Sequence, residues 1–298
     1  MALLGALPGA IAQGMIWGIM AIGVFVTFKI LDVADLTVDG SICTGGAVCV
    51  MLVTRGVNVW LALFIAFLAG IAAGFFTGAL HIFLGIPAIL AGILTQLMLW
   101  SVNLKIMGKA NQSLSARTHF VLISQLSPPL AILVLCGFLA VLIALLYWFF
   151  GTELGCSVRS TGCNRNMSRA QGINTGMTTI LGLMLSNGIV ALSGAMLTQY
   201  QGFADINMGR GAIVIGLAAV IIGEALTQRI FRGFIARLCG VVLGGIIYYI
   251  VYQTVIFLGL DTDLLKLLSA VVVAVFLGIP YIKKTYFSKV KKEAGGHA

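Results

Sequence analysis

Charge is what this sequence has least of. Asp, Glu, Lys and Arg make up 9% of the 298 residues, against 60% hydrophobic and a mean hydropathy of +1.09. That is too little charge to coat a water-soluble body of this size, so the solvent for most of the chain is lipid. Alternation at period two is also missing, which excludes a membrane β-barrel. The apolar residues fall instead in runs of roughly 15 to 25, the length a helix rising about 1.5 Å per residue needs to cross a core about 30 Å thick. No G-x-x-x-x-G-K-[ST] phosphate loop is present, so the chain is not expected to bind ATP in that manner. The three histidines (His81, His119, His297) stand apart from one another, and the six cysteines form no C-x-x-C pair. Neither a metal site nor a disulfide framework is expected. No nucleophile, base and orienting group can be assembled, so neither catalysis nor a bound cofactor is expected. A basic n-region is lacking as well, and the N-terminus reads as the approach to a first span rather than a cleaved leader.

What charge there is lies between the apolar runs. The net charge of +9 is scattered over loops rather than gathered on one soluble face, which argues for a membrane topology signal and against nucleic acid. Nine apolar segments are read: roughly 11 to 31, 40 to 54, 57 to 80, 86 to 104, 128 to 150, 176 to 199, 209 to 224, 233 to 258 and 264 to 282. The basic tail and the loops holding Arg159, Arg165, Arg169, Arg229, Arg232 and Arg237 are assigned to the cytoplasm, and the N-terminus to the outside. Together with Lys29 this puts 12 of the 18 Lys and Arg inside.

Sliding the chain against itself by 170 positions places Phe64, Ile65, Ala66, Leu68, Gly70 and Gly74 on Phe234, Ile235, Ala236, Leu238, Gly240 and Gly244. The same shift places Ala34 and Asp35 on Ala204 and Asp205. Segments one to four then match six to nine, and the five-crossing offset makes the copies antiparallel. The expected fold is an all-α polytopic membrane protein of about nine spans in two inverted repeats with short re-entrant helices. The first repeat takes 1–110, and 111–175 supplies an outer loop, an unpaired span and a cytoplasmic loop. The second repeat takes 176–282, and 283–298 is a basic cytoplasmic tail.

Segments two and seven are the short ones and occupy corresponding places. Each must begin inside the membrane after an irregular, polar stretch: Asp35 to Ser41 in one half, Asp205 to Gly211 in the other. Irregular backbone at that depth is tolerated where it is buried in protein or lines a wet cavity, and paired short segments point to a transporter's site. The expected solute path is therefore lined by Asp35, Thr37, Asp39, Gly40, Ser41, Asp205, Asn207, Gly209 and Gly211. A purely architectural alternative stands beside it, in which Asp39, Ser41 and Asn207 cap helices while Asp35 and Asp205 hold the turns. Glu224 reads as an interface residue, and Gly14/Gly18, Gly70/Gly74 and Gly240/Gly244 as close helix packing.

The loop between the halves, ELGCSVRSTGCNRNMSRAQGINT from Glu153 to Thr175, resembles the coupling region of permeases of branched-chain amino-acid and ribose ABC importers. It is most similar to the subgroup associated with tryptophan or tyrosine uptake. DLTVDG at 35–40 resembles a signature of the same superfamily, and NMGRG at 207–211 its counterpart in the second half. Cys156 and Cys163 depart from the small or polar residues of the family pattern. The resemblance implies a permease homodimer in the bacterial cytoplasmic membrane, separate cytoplasmic ATP-binding subunits and an extracytoplasmic substrate-binding lipoprotein. It also implies an ATPase-facing element of Glu153, Arg159, Gly162, Asn164, Met167, Arg169, Gly172 and Asn174. The loop from Lys105 to Ser127 is a candidate dock for the binding protein. A small solute, above all a hydrophobic, aromatic or branched-chain amino acid, is the expected cargo. A sugar or nucleoside importer, or an ion-driven transporter or channel, is the alternative.

Overall fold

The computed structural model describes residues 2–115, 120–125, 127–227 and 233–257, with 270, 271, 274 and 278. Its helices are α1 (Ala2–Phe25), α2 (Val38–Thr54), α3 (Val59–Ile82), α4 (Ala88–Met107) and α5 (Pro128–Gly151), then α6 (Glu153–Cys163) and α7 (Arg165–Ala170). They are followed by α8 (Thr175–Gln201), α9 (Ala212–Thr227) and α10 (Phe234–Phe257). Eight of the nine apolar segments fall on helices, and the ninth, 264–282, lies almost wholly outside the described residues. Two three-residue strands, β1 (Asn111–Ser113) and β2 (Phe203–Asp205), pair antiparallel and qualify the all-helical expectation. They tie the loop after α4 to the loop after α8, because backbone groups leaving both helices need partners there.

Among the described residues, six helices are long and apolar enough to span a bilayer. α2 and α9 have 17 and 16 residues. At about 1.5 Å per residue they reach about 24 to 26 Å, short of a core about 30 Å thick. α1 and α8 form the centre: 83% of the most apolar window of each is buried, against 28% for α4 and for α5. α8 tolerates that depth because several of its hydroxyl and amide groups bond to neighbours. Ser186 donates to the Gly23 carbonyl at 2.8 Å and Ser193 to the Ile16 carbonyl at 2.7 Å, polar glue of the kind that holds helices together where lipid removes the hydrophobic drive.

Small residues set the helix crossings. A Cβ on Gly45 of α2 would stand 1.8 Å from the Ala191 carbonyl oxygen of α8, and one on Gly194 of α8 1.9 Å from the Ile42 oxygen. The two backbones are therefore in direct contact. Gly70 and Gly74 bring α3 against Asn187 and Leu183 of α8. Gly14 and Gly18 bring α1 against Ile246 and Val242 of α10, and Gly240 and Gly244 bring α10 against α9. All three expected pairs sit at close crossings.

α1 does not end cleanly. The turn that follows it without a break, Val26–Ile30, is π-helical, and Asp32 comes next but one at φ 54°, the one non-glycine with positive φ among the described residues. The widened turn releases the chain into the irregular stretch that leads to α2. It also carries Lys29, whose ammonium lies 2.7 Å from Glu224 of α9. Glu224 is thus an interface residue.

Candidate functional site

Two polar turns precede the two short helices and share one local device. Asp35 Oδ1 accepts the N–H of Thr37 at 2.9 Å, and Asp205 Oδ1 accepts the N–H of Asn207 at 2.7 Å. A carboxylate bonded to the backbone two residues on is the Asx-turn, which fixes a sharp bend before a helix. The aspartates matched by the 170-residue shift thus make the same bond in both halves.

Around the first turn the polar groups close on one another. Asp35 Oδ2 accepts from Asn187 Nδ2 at 2.6 Å, and Ser41 Oγ donates to Asn187 Oδ1 at 2.6 Å. The hydroxyls of Thr37 and Thr77 lie 2.7 Å apart. All five side chains are buried. Asp35, Thr37 and Ser41 therefore lock the first turn to α3 and α8 and are turned away from any open surface.

The second turn is more open. Gly202 and Gly211 bracket it at φ 80° and 84°, and Asn207, Arg210 and Gly211 are exposed. Asp205 Oδ2 accepts from Asn111 Nδ2 at 3.3 Å, and the Cys43 thiol of α2 donates to the carbonyls of Asp205 and Ile206 at 3.6 and 3.4 Å.

Asp39 joins the halves. Its Oδ2 accepts the Gly211 N–H at 3.0 Å and its Oδ1 the Ile213 N–H at 2.9 Å. A residue in the first turn of α2 thereby satisfies donors at the start of α9, where the helix dipole favours a negative charge. Gly209 makes this approach possible, since a Cβ there would stand 1.9 Å from the Asp39 carbonyl oxygen. Asp39 does cap a helix, but the helix belongs to the other half of the chain.

Beside this junction lies a recess of about 240 Å³ lined by Asp39, Gly40, Cys43, Gln96, Leu97, Trp100, Asn103, Ile206 and Arg210. Of the nine expected path residues, only Asp39 and Gly40 face it. Gly40 also lets α2 approach α4, as a Cβ there would stand 2.9 Å from Leu99 Cδ1. The α4 residues were not anticipated. Their signal was legible: Gln96, Trp100 and Asn103 fall at helical spacing along one stripe of a largely apolar span. Asn187 was missed too, because a lone amide within a span does not announce which turn it will anchor.

Away from this recess, α6 and α7 form the loop between the halves. Asn164 Oδ1 accepts the Met167 N–H at 3.0 Å and caps α7, while Asn174 Oδ1 accepts from Gly176 and Met177 at 3.2 Å and caps α8. Gly172 turns the chain at φ 82°. Gly162 packs on the end of α1, where a Cβ would stand 1.8 Å from the Ile30 oxygen. Arg169 donates through Nε to Thr175 at 2.9 Å, and the Arg159 guanidinium sits 5.7 Å from the centre of the Phe234 ring. These residues shape the loop. Glu153, Arg165 and Met167 are left pointing outward, the last 60% exposed.

Long apolar helices around a polar junction of two shorter helices define a multi-pass membrane protein. Residues 7–278 match the family described as the branched-chain amino acid transport system permease component, and the chain belongs to that family. It is a permease subunit of the ABC importer class. It is 40% identical to the tyrosine transport system permease protein of Clostridioides difficile (strain R20291) over 89% of this chain and 88% of that one. An uncharacterized protein of Rickettsia prowazekii (strain Madrid E) is 32% identical over 92% of this chain and 97% of its own. The fructose import permease protein of Bifidobacterium longum (strain NCC 2705) is 26% identical over 81% of this chain and 68% of its own. No solved structure matches.

Proposed function

We propose that the chain is the membrane path of an ATP-driven importer of an amino acid, with an aromatic amino acid such as tyrosine as the first candidate. The observation that carries the cargo is the 40% identity to a tyrosine transport permease along nearly the full length of both chains. The more distant fructose permease keeps a sugar as the second reading. In this proposal two copies of the chain assemble in the cytoplasmic membrane with the C-terminus inside. Separate ATP-binding subunits grip α6 and α7, and an extracytoplasmic lipoprotein delivers the solute. The chain is then a transport subunit, and hydrolysis occurs on its partner.

The proposed motion is alternating access between two inverted repeats. Matched Asx-turns at Asp35 and Asp205 support the repeat, as does the packing in which α3 lies on α8 while α10 lies on α1. The Asp39 bridge and the Lys29–Glu224 pair join the halves at different points, so a push on the cytoplasmic loop reaches both short helices through α1, on which Gly162 rests. Proteoliposomes holding the complete complex are expected to accumulate radiolabelled tyrosine only when ATP and the binding protein are supplied. Uptake by this chain alone, driven by an ion gradient, would sink the reading.

A further inference from the structure

The recess between α2, α4 and the second turn carries two opposite charges that do not neutralise each other. Asp39 and Arg210 both line it, yet among the described residues the only ion pair is Lys29–Glu224. Asp39 uses one lone pair on each oxygen for the Gly211 and Ile213 N–H groups, and a carboxylate has about four acceptor sites, so it can still accept. Arg210 is exposed and bonds to no side chain among the described residues.

Asn103 is the second, independent feature. Its side chain is fully buried at the recess beside the Cys43 thiol, and neither its amide nitrogen nor its amide oxygen has a partner in hydrogen-bonding geometry. Buried polar groups are nearly always hydrogen-bonded, and the exceptions call for an explanation. An amide offers both a donor and an acceptor, so it can serve either end of a bound dipolar molecule. Trp100 and Leu97, both exposed on α4, add an aromatic and an aliphatic wall to the same cavity. A mostly apolar hollow with a few placed polar groups is the usual form of a small-molecule site.

We propose that this recess is a recognition station for a zwitterionic α-amino acid with an apolar or aromatic side chain. Arg210 takes the carboxylate, Asp39 the ammonium and Trp100 the side chain, while Asn103 bonds the polar head. The proposal rests on the importer reading above and adds what that reading lacks, a location and a chemistry for the cargo within this chain. A neutral sugar has no use for opposed charges, whereas a free amino acid carries that pair.

The test is site-resolved alkylation in native membrane vesicles holding the complete complex. A Leu97→Cys variant places a thiol on the recess wall, and modification by a membrane-permeant maleimide is quantified at that position by peptide mass spectrometry. L-Tyrosine is expected to slow the labelling several-fold, while fructose and tyramine, which lacks the carboxylate, leave it unchanged. Adding Arg210→Gln is expected to abolish protection with the unliganded labelling rate unaltered, and Arg210→Lys to restore part of it. Trp100→Ala supplies a second route to the same loss if the arginine variant fails to reach the membrane. Vesicles that import tyrosine with ATP yet show no protection overturn this inference and leave the importer reading standing. Protection by fructose in place of tyrosine overturns both.

Discussion

Asn187 holds more together than its single amide suggests. It bonds Asp35, Ser41 and the Leu183 carbonyl at once, and all of these groups lie where water cannot replace it. Replacing it by Leu leaves a buried carboxyl without its amide donor. Asn187→Leu is therefore expected to cost about 3 kcal/mol, read as a lowered unfolding midpoint of the purified chain in nanodiscs. Asp39 makes two bonds to backbone donors at the start of a helix, so Asp39→Ala is expected to cost about 1 to 2 kcal/mol in the same assay. Asp39→Asn, which keeps an acceptor, should recover about half of that loss. An unchanged midpoint in Asp39→Ala would mean that the start of α9 is satisfied in another way.

At the scale of elements, contact between α2 and α8 depends on the absence of side chains at Gly45 and Gly194, whereas a methyl group added at Gly137 of α5 would meet nothing within 4 Å. Gly45→Val is expected to separate the two helices and sharply lower the amount of folded protein in the membrane. Gly137→Ala is expected to be neutral or to stabilise by up to about 1 kcal/mol, the helix-propensity difference. Size-exclusion yield after extraction distinguishes the two, and equal yields would contradict the packing. The short helices were legible in the sequence because their length falls below a bilayer span and their preceding residues are polar. The turn that follows α1 was not: nothing in the residues from Val26 to Ile30 marks a π-helix, which forms because the chain must leave its axis to reach Asp35.

For the whole molecule, the proposed coupling runs from the loop between the halves to the solute path. Met167 projects outward from α7, while the capping residues around it hold the loop in shape. Met167→Glu is expected to lower ATP-driven uptake roughly tenfold, the effect of losing about 1.4 kcal/mol at an interface. Protein level and tyrosine protection at Leu97→Cys should be unaffected, since Met167 is exposed on α7 and lines no part of the recess. The Lys29–Glu224 pair makes a reciprocal test. Lys29→Glu is expected to impair uptake by bringing two carboxylates together, and the double exchange with Glu224→Lys to restore it. Failure of the exchange to restore uptake would remove this pair from the linkage between α1 and α9.

Composition and run length by themselves determined that the chain is a helical membrane protein, because the scarcity of charge leaves only lipid as solvent and, with period-two alternation missing, helices are what satisfy the backbone there. The self-match determined that Asp35 and Asp205 would play equivalent parts, and they make the same turn. Tertiary structure alone decided which polar residues are sealed and which are open. Asp35, Thr37 and Ser41 found partners on α3 and α8 and closed into the core, while Asp39 crossed to the other half. Gln96, Trp100 and Asn103 came from a third helix to complete the recess. Sequence spacing sets which side chains share a helical face. What that face meets is fixed by how the helices cross, and here the crossings are set by glycines far along the chain from the residues they bring together.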